Sequence, residues 1–164
     1  MIDELERVVK RFEVEVSKLN QDRRAGPFGT LKVRVLGQQA LLIRRASLSG
    51  LRLLATTDFD AVLNGEPPLE DIFKRFLREE GLTYDEQSPL IWLPEETKCE
   101  TIYKSEIIEV EGPLPIYLIV SKAVKAPEKN KLLVTQAIEV FGDEFLGMLE
   151  KYGADINYFI DGLA

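Results

Sequence analysis

The sequence predicts an α+β fold: a mixed sheet flanked by helices, followed by a helical C-terminal part. Three observations carry that expectation. Apolar residues recur at helical spacing over residues 2–19 and 69–77. Short segments at residues 31–36, 56–63, 90–93, 101–103 and 106–111 read as strands. Beyond residue 115 every segment is helix-compatible.

The elements follow in order. Ile2, Leu5, Val8, Val9, Phe12, Val16 and Leu19 share one face of a first helix, with charged residues opposite. Residues 20–30 have no periodicity and hold two glycines around Pro27, so they form a loop. Leu31-Lys32-Val33-Arg34-Val35-Leu36 alternates apolar and basic side chains, as a half-buried strand does. Gly37 breaks it, and residues 38–46 are a short helix. Ser47-Leu48-Ser49-Gly50 is a turn, after which residues 56–63 are extended. Pro67 and Pro68 open a second helix, because proline is tolerated in a first turn. Its stripe is Leu69, Ile72, Phe73, Phe76 and Leu77, and Gly81 stops it. Three strands are expected next, with Trp92 in the core. Gly112, Pro113 and Pro115 mark an internal break, and helices follow at 116–125, 127–141, 143–151 and 155–160. The chain thus divides into an α/β core with an N-terminal helix (1–112) and a helical part packed on it (113–164), one compact domain overall.

Composition narrows the chemistry. The chain has 164 residues, 45% of them hydrophobic, and a formal charge of −7. That is ample for one core and excludes disorder and disulfide scaffolds. It contains no histidine, so imidazole general bases, histidine-dependent triads and histidine zinc sites are excluded, and a metal would rest on carboxylates. Cys99 stands alone, which fits a cytoplasmic protein. The charged opening Met-Ile-Asp-Glu-Leu-Glu-Arg is unlike a signal peptide, and no apolar run approaches the ~20 residues that span a bilayer. Charge is uneven. From Asp22 to Arg52 there are seven basic residues (Arg23, Arg24, Lys32, Arg34, Arg44, Arg45, Arg52) against one acid, which points to a local anionic partner such as a phosphate.

The sharpest motif is Thr56-Thr57-Asp58-Phe59-Asp60. On a strand, Asp58 and Asp60 project to the same side while Phe59 and Ala61 face the core. Two such carboxylates repel unless a proton or a cation sits between them, and a hard ion such as magnesium suits them. Glu13 and Glu15 diverge around a helix. Glu109 and Glu111 alternate similarly but run into Gly112-Pro113, a strand end expected to be solvated.

A strand that stops at Gly37 and enters a helix, followed by Asp58-Phe59-Asp60, resembles the nucleotidyltransferase superfamily in its minimal and toxin–antitoxin-associated branches. The counterparts are Leu36-Gly37-Gln38-Gln39-Ala40-Leu41 and the segment Leu53-Leu54-Ala55-Thr56-Thr57-Asp58-Phe59-Asp60. Val120-Ser121-Lys122, with Lys129 downstream, is similar to the family's Ser-Lys helix and its second lysine. The resemblance covers roughly residues 31–140, and the first two motifs are the more specific. It implies Mg2+-dependent transfer of a nucleotide from a nucleoside triphosphate to a hydroxyl of a protein, RNA or small molecule. Asp58 and Asp60 would be the catalytic metal ligands. Gly37, Gln38 and Gln39 would hold phosphate, and Arg44, Arg45, Arg52, Lys122 and Lys129 would offset its charge. The chain departs from the pattern at Gln38, where the family has a small residue, and at residues 90–93, which lack the third carboxylate. The same fold without turnover, as a regulatory or toxin–antitoxin component, is the alternative. An unrelated α+β domain with a chance Asp-x-Asp is the third.

Overall fold

The computed structural model describes residues 1–22 and 24–161; Arg23 of the basic stretch lies outside them. Helix α1 (Asp3–Gln21) buries Leu5, Val8, Val9, Phe12 and Val16, the stripe its sequence spells out. Acids in its first turn and Lys18 in its last complement the helix dipole. Strand β1 (Leu31–Val35) alternates buried and exposed side chains as expected. It is central to a four-stranded mixed sheet. Strand β3 (Ala61–Asn64) runs antiparallel to it on one side and β6 (Ile108–Pro113) parallel on the other, and β5 (Cys99–Lys104) pairs antiparallel with β6 at the edge.

One face of this sheet carries Leu31, Val33, Val35, Ala61, Ile108 and Val110, all buried in the same apolar core as α1. Helix α3 (Pro67–Glu79) joins that core. Its Phe73 meets Phe12 edge-on at 5.7 Å between centroids and Phe59 at 6.2 Å. Such pairs each add about 0.5–1.5 kcal/mol beyond burial. The other face bears Lys32, Arg34, Glu109 and Glu111, exposed or half-buried. Helices α4 (Pro115–Lys125), α5 (Pro127–Phe141), α6 (Asp143–Lys151) and α7 (Ile156–Ile160) complete the chain. Proline lies in the first turn of α3, α4 and α5, where its missing N–H costs nothing. The architecture is α+β, with a mixed sheet, flanking helices and a helical C-terminal part.

Several local expectations are corrected. Residues 56–63 are two strands: β2 (Asp58–Phe59) pairs in parallel with β4 (Thr83–Tyr84), and the chain passes through Asp60 into β3 on the main sheet. The early helix is shorter, with α2 spanning Gly37–Ile43 before a 3-10 turn at Arg45–Ser47. Residues 90–93 form no strand. Pro89 opens a 3-10 turn at Ser88–Leu90, and Pro94, which also lacks a donor, follows closely. Leu90 is consequently 82% exposed, and Trp92 is half-buried at an edge-on contact with Tyr152 instead of in the core. Strand β6 continues through Gly112 to Pro113, so Glu109 and Glu111 lie mid-sheet between β1 and β5 and not at a solvated end. Among the described residues no helix is long and apolar enough to cross a membrane.

Candidate functional site

Gly37 fixes the geometry. Backbone pairing of β1 with β3 continues one residue beyond β1, where Leu36 N–H donates to the Asp60 carbonyl at 2.8 Å. The chain must then turn sharply into α2, and Gly37 does so at φ +58°, a left-handed conformation that glycine adopts without strain. It also lets Asp60 approach: a Cβ built at Gly37 would overlap Asp60 Oδ2 and lie 2.9 Å from its Cγ. The glycine bend and the second aspartate of the motif are therefore in contact. The Leu36 N-cap offers no side-chain hydrogen bond to the start of α2, so among the described residues the N–H groups of Gln38 and Gln39 have no side-chain partner.

The two aspartates differ. Asp58 is exposed, with its backbone N–H bonded to Thr56 Oγ1 at 3.1 Å. Asp60 is half-buried, and burial pushes its carboxyl above the ordinary carboxylate range. Asp85 and Asp58 raise it further, while Lys122 and Lys129 pull it down. Asp85 was not foreseen. The parallel β2–β4 pair, extended by the Asp85 N–H donating to the Phe59 carbonyl at 3.2 Å, sets residue 85 beside residue 60. A two-residue strand has no periodicity to reveal it.

Helix α4 supplies Lys122, whose charge acts on Asp60. Burial lowers its pKa, opposed by Asp60 and reinforced by Lys129. Ser121, one residue earlier, donates its hydroxyl to the Trp92 carbonyl and ties α4 to the irregular segment after β4. Among the described residues neither lysine closes an ion pair within 4.0 Å. The result is a mixed cluster in which an acid and two cations sense each other without bonding.

The remaining residues singled out in the sequence go elsewhere. Gln38 donates its amide to the Leu54 carbonyl at 3.0 Å, and the buried Gln39 donates to the Thr56 carbonyl at 2.9 Å, so both lace α2 to the segment leading into the motif. Arg44 is engaged: it donates to the carbonyls of Gly112 and Pro113 and pairs with Glu100 at 2.8 Å, leaving its side chain 10% exposed. Arg45 and Arg52 are exposed on the surface. Arg34 bridges to Glu111 at 2.7 Å, which occupies the nearer acid of β6. Among the described residues no three acidic or thiol side chains are grouped to hold a metal ion. Oxygen donors from Asp58 and Asp60 nevertheless suit Mg2+, which commonly takes one or two carboxylates and completes its shell with water and substrate phosphate.

Comparison with family models, with curated proteins and with solved structures returned no match.

Proposed function

We propose that this chain is a nucleotidyltransferase-like protein in which the cluster of Gly37, Asp60 and Lys122 takes a nucleoside triphosphate with Mg2+. One observation carries the reading. A half-buried aspartate whose carboxylate receives no hydrogen bond among the described residues lies against a left-handed glycine, with two lysines that close no ion pair among those residues in electrostatic range. A purely structural carboxylate at that depth would be hydrogen-bonded or paired. Asp58 and Asp60 would hold the ion, which would supply Lewis-acid charge and favour ionisation of an acceptor hydroxyl. Lys122 and Lys129 would face the phosphates, and the N–H groups of Gln38 and Gln39 would bond their oxygens. Arg44 is not given that role, since its guanidinium already holds the Gly112 and Pro113 carbonyls and pairs with Glu100. The acceptor is a hydroxyl on a protein, an RNA or a small molecule.

A second reading, a nucleotide-binding module without transfer such as a toxin–antitoxin component, is favoured by the acids of β6. Glu111 is committed to Arg34 and Glu109 lies 3.6 Å from Lys104, so no third carboxylate is free on that strand. Pyrophosphate release separates the two. Each triphosphate would be incubated with Mg2+, the protein and pooled RNA or protein acceptors. Release that is lost in Asp60→Asn supports transfer. Binding without release supports the module, and absence of both refutes the proposal.

A further inference from the structure

Asp60 stands on the crossing from β2 to β3 and belongs to neither strand, so no ladder of its own aims its side chain. Its direction is set by the planar peptide units on either side, because a residue has only two soft backbone torsions. The 59–60 unit is held through the Phe59 carbonyl, which accepts the Asp85 N–H at 3.2 Å. The 60–61 unit is held from both edges. Its carbonyl accepts the Leu36 N–H at 2.8 Å, and its N–H, that of Ala61, donates to Ser88 Oγ at 3.0 Å. Strand β3 is an edge of the main sheet, so the outward N–H of Ala61 has no ladder partner there and depends on a side chain.

Ser88 is wholly buried, and its hydroxyl works in both directions. The oxygen accepts from Ala61, and the proton goes to the Asp85 carbonyl at 2.6 Å. One side-chain atom thus ties the hold on the 60–61 unit to the residue that holds the 59–60 unit. Tyr84 adds a further bond, its hydroxyl donating to the Ala61 carbonyl at 2.9 Å. Ala61 is itself buried, and a buried N–H deprived of its acceptor is costly, so the crossing would shift to satisfy it. We infer that Ser88, supported by Tyr84, is a positioning residue that acts through the backbone to hold the Asp60 carboxylate against Gly37. This rests on the proposed function, in which Asp60 holds the ion.

The test is isothermal titration of the parent, Ser88→Ala, Tyr84→Phe and Thr135→Val with Mg2+ and each triphosphate, well below each melting temperature. Thr135 Oγ1 donates to the Phe159 carbonyl, so its loss gives a destabilised control in the contact of α5 with α7. Ser88→Ala is expected to weaken triphosphate binding about tenfold and Tyr84→Phe about three- to fivefold, with Thr135→Val unchanged within about twofold. Amide hydrogen exchange gives a readout free of nucleotide: the Leu36 amide, bonded to the Asp60 carbonyl, exchanges about tenfold faster in Ser88→Ala than in Thr135→Val. Should Ser88→Ala not fold, Tyr84→Phe decides by the same two measurements. Unchanged affinity, unchanged Leu36 exchange, or an equal loss of affinity in Thr135→Val overturns the positioning role. A parent that binds no triphosphate, with Leu36 exchange responding as expected, refutes the proposed function and leaves the backbone hold on Asp60 supported.

Discussion

Replacing Gly37 by alanine tests the contact on which the site is built. Two costs are superimposed. An L-residue at φ +58° pays about 1–2 kcal/mol for the left-handed conformation. The new Cβ also overlaps Asp60 Oδ2 and lies 2.9 Å from Cγ and 3.2 Å from Cβ, so the aspartate must rotate away from its position. Overpacking of this kind adds about 1–2 kcal/mol, giving a total near 2–4 kcal/mol. A chain of this size loses about 2–4 °C of melting temperature per kcal/mol, so a fall of roughly 4–16 °C is expected. In the Asp60→Gly background the second cost disappears while the first remains. A double-mutant cycle by urea denaturation therefore gives a coupling of about 1–2 kcal/mol between the two positions. Coupling below about 0.3 kcal/mol would show that glycine 37 and aspartate 60 are independent, and would refute the geometry of the site.

Three further outcomes follow from the same structure. Burial and the neighbouring acids raise the Asp60 pKa, so its contribution favours the fold below the ordinary value of 3.8 and is lost as pH rises through the folded value. Asp60→Asn is thus expected to be as stable as the parent or up to about 1 kcal/mol more stable at pH 7, with a flatter pH dependence above pH 3.8 by urea denaturation; a clear loss at pH 7 contradicts it. Arg44→Met removes donors from the Gly112 and Pro113 carbonyls and the partner of Glu100, and costs about 2–3 kcal/mol by thermal unfolding, whereas Arg45→Met on the surface changes stability by less than about 0.5 kcal/mol. Lys122→Met leaves the melting temperature unchanged or raised, since a half-buried, partly desolvated cation is removed, but weakens Mg2+–triphosphate binding by about tenfold or more in calorimetry.

Much of the fold was legible because it follows hydrophobic period. The α1 stripe from Leu5 to Val16, the alternation of Leu31, Val33 and Val35, and the proline starts of α3 and α5 are local signals that tertiary packing reinforces. The failures occur where structure depends on distant partners. Residues 90–93 are apolar and strand-like in composition, yet two prolines deny them a ladder, and Trp92 finds Tyr152 at 5.5 Å instead of the core. Strands β2 and β4 hold two residues each, too few for any period, so the exchange of sheets at Asp60 was invisible. The same reason hid Asp85, which only the register of that short pair brings to Asp60.

At the site, residue type was legible but commitment was not. Gly37 and Asp60 are in contact as the strand–glycine–helix reading anticipates, because β1–β3 pairing brings their segments together. Arginine content misled, since Arg34 and Arg44 are equally basic in sequence and both serve internal partners. Which cations stay free is a property of three-dimensional neighbours. Lys122, between Ser121 and Ala123 on α4, gave no hint in sequence of its half-burial near Asp60.

Isothermal titration with each of the four triphosphates measures most directly whether the Asp60–Gly37–Lys122 cluster holds a metal–triphosphate pair. At least one triphosphate is expected to bind saturably in the presence of Mg2+, weakly without it, and not at all in the Asp58→Asn, Asp60→Asn double variant. Binding that is unchanged in that variant, or no heat with any triphosphate, would contradict the account.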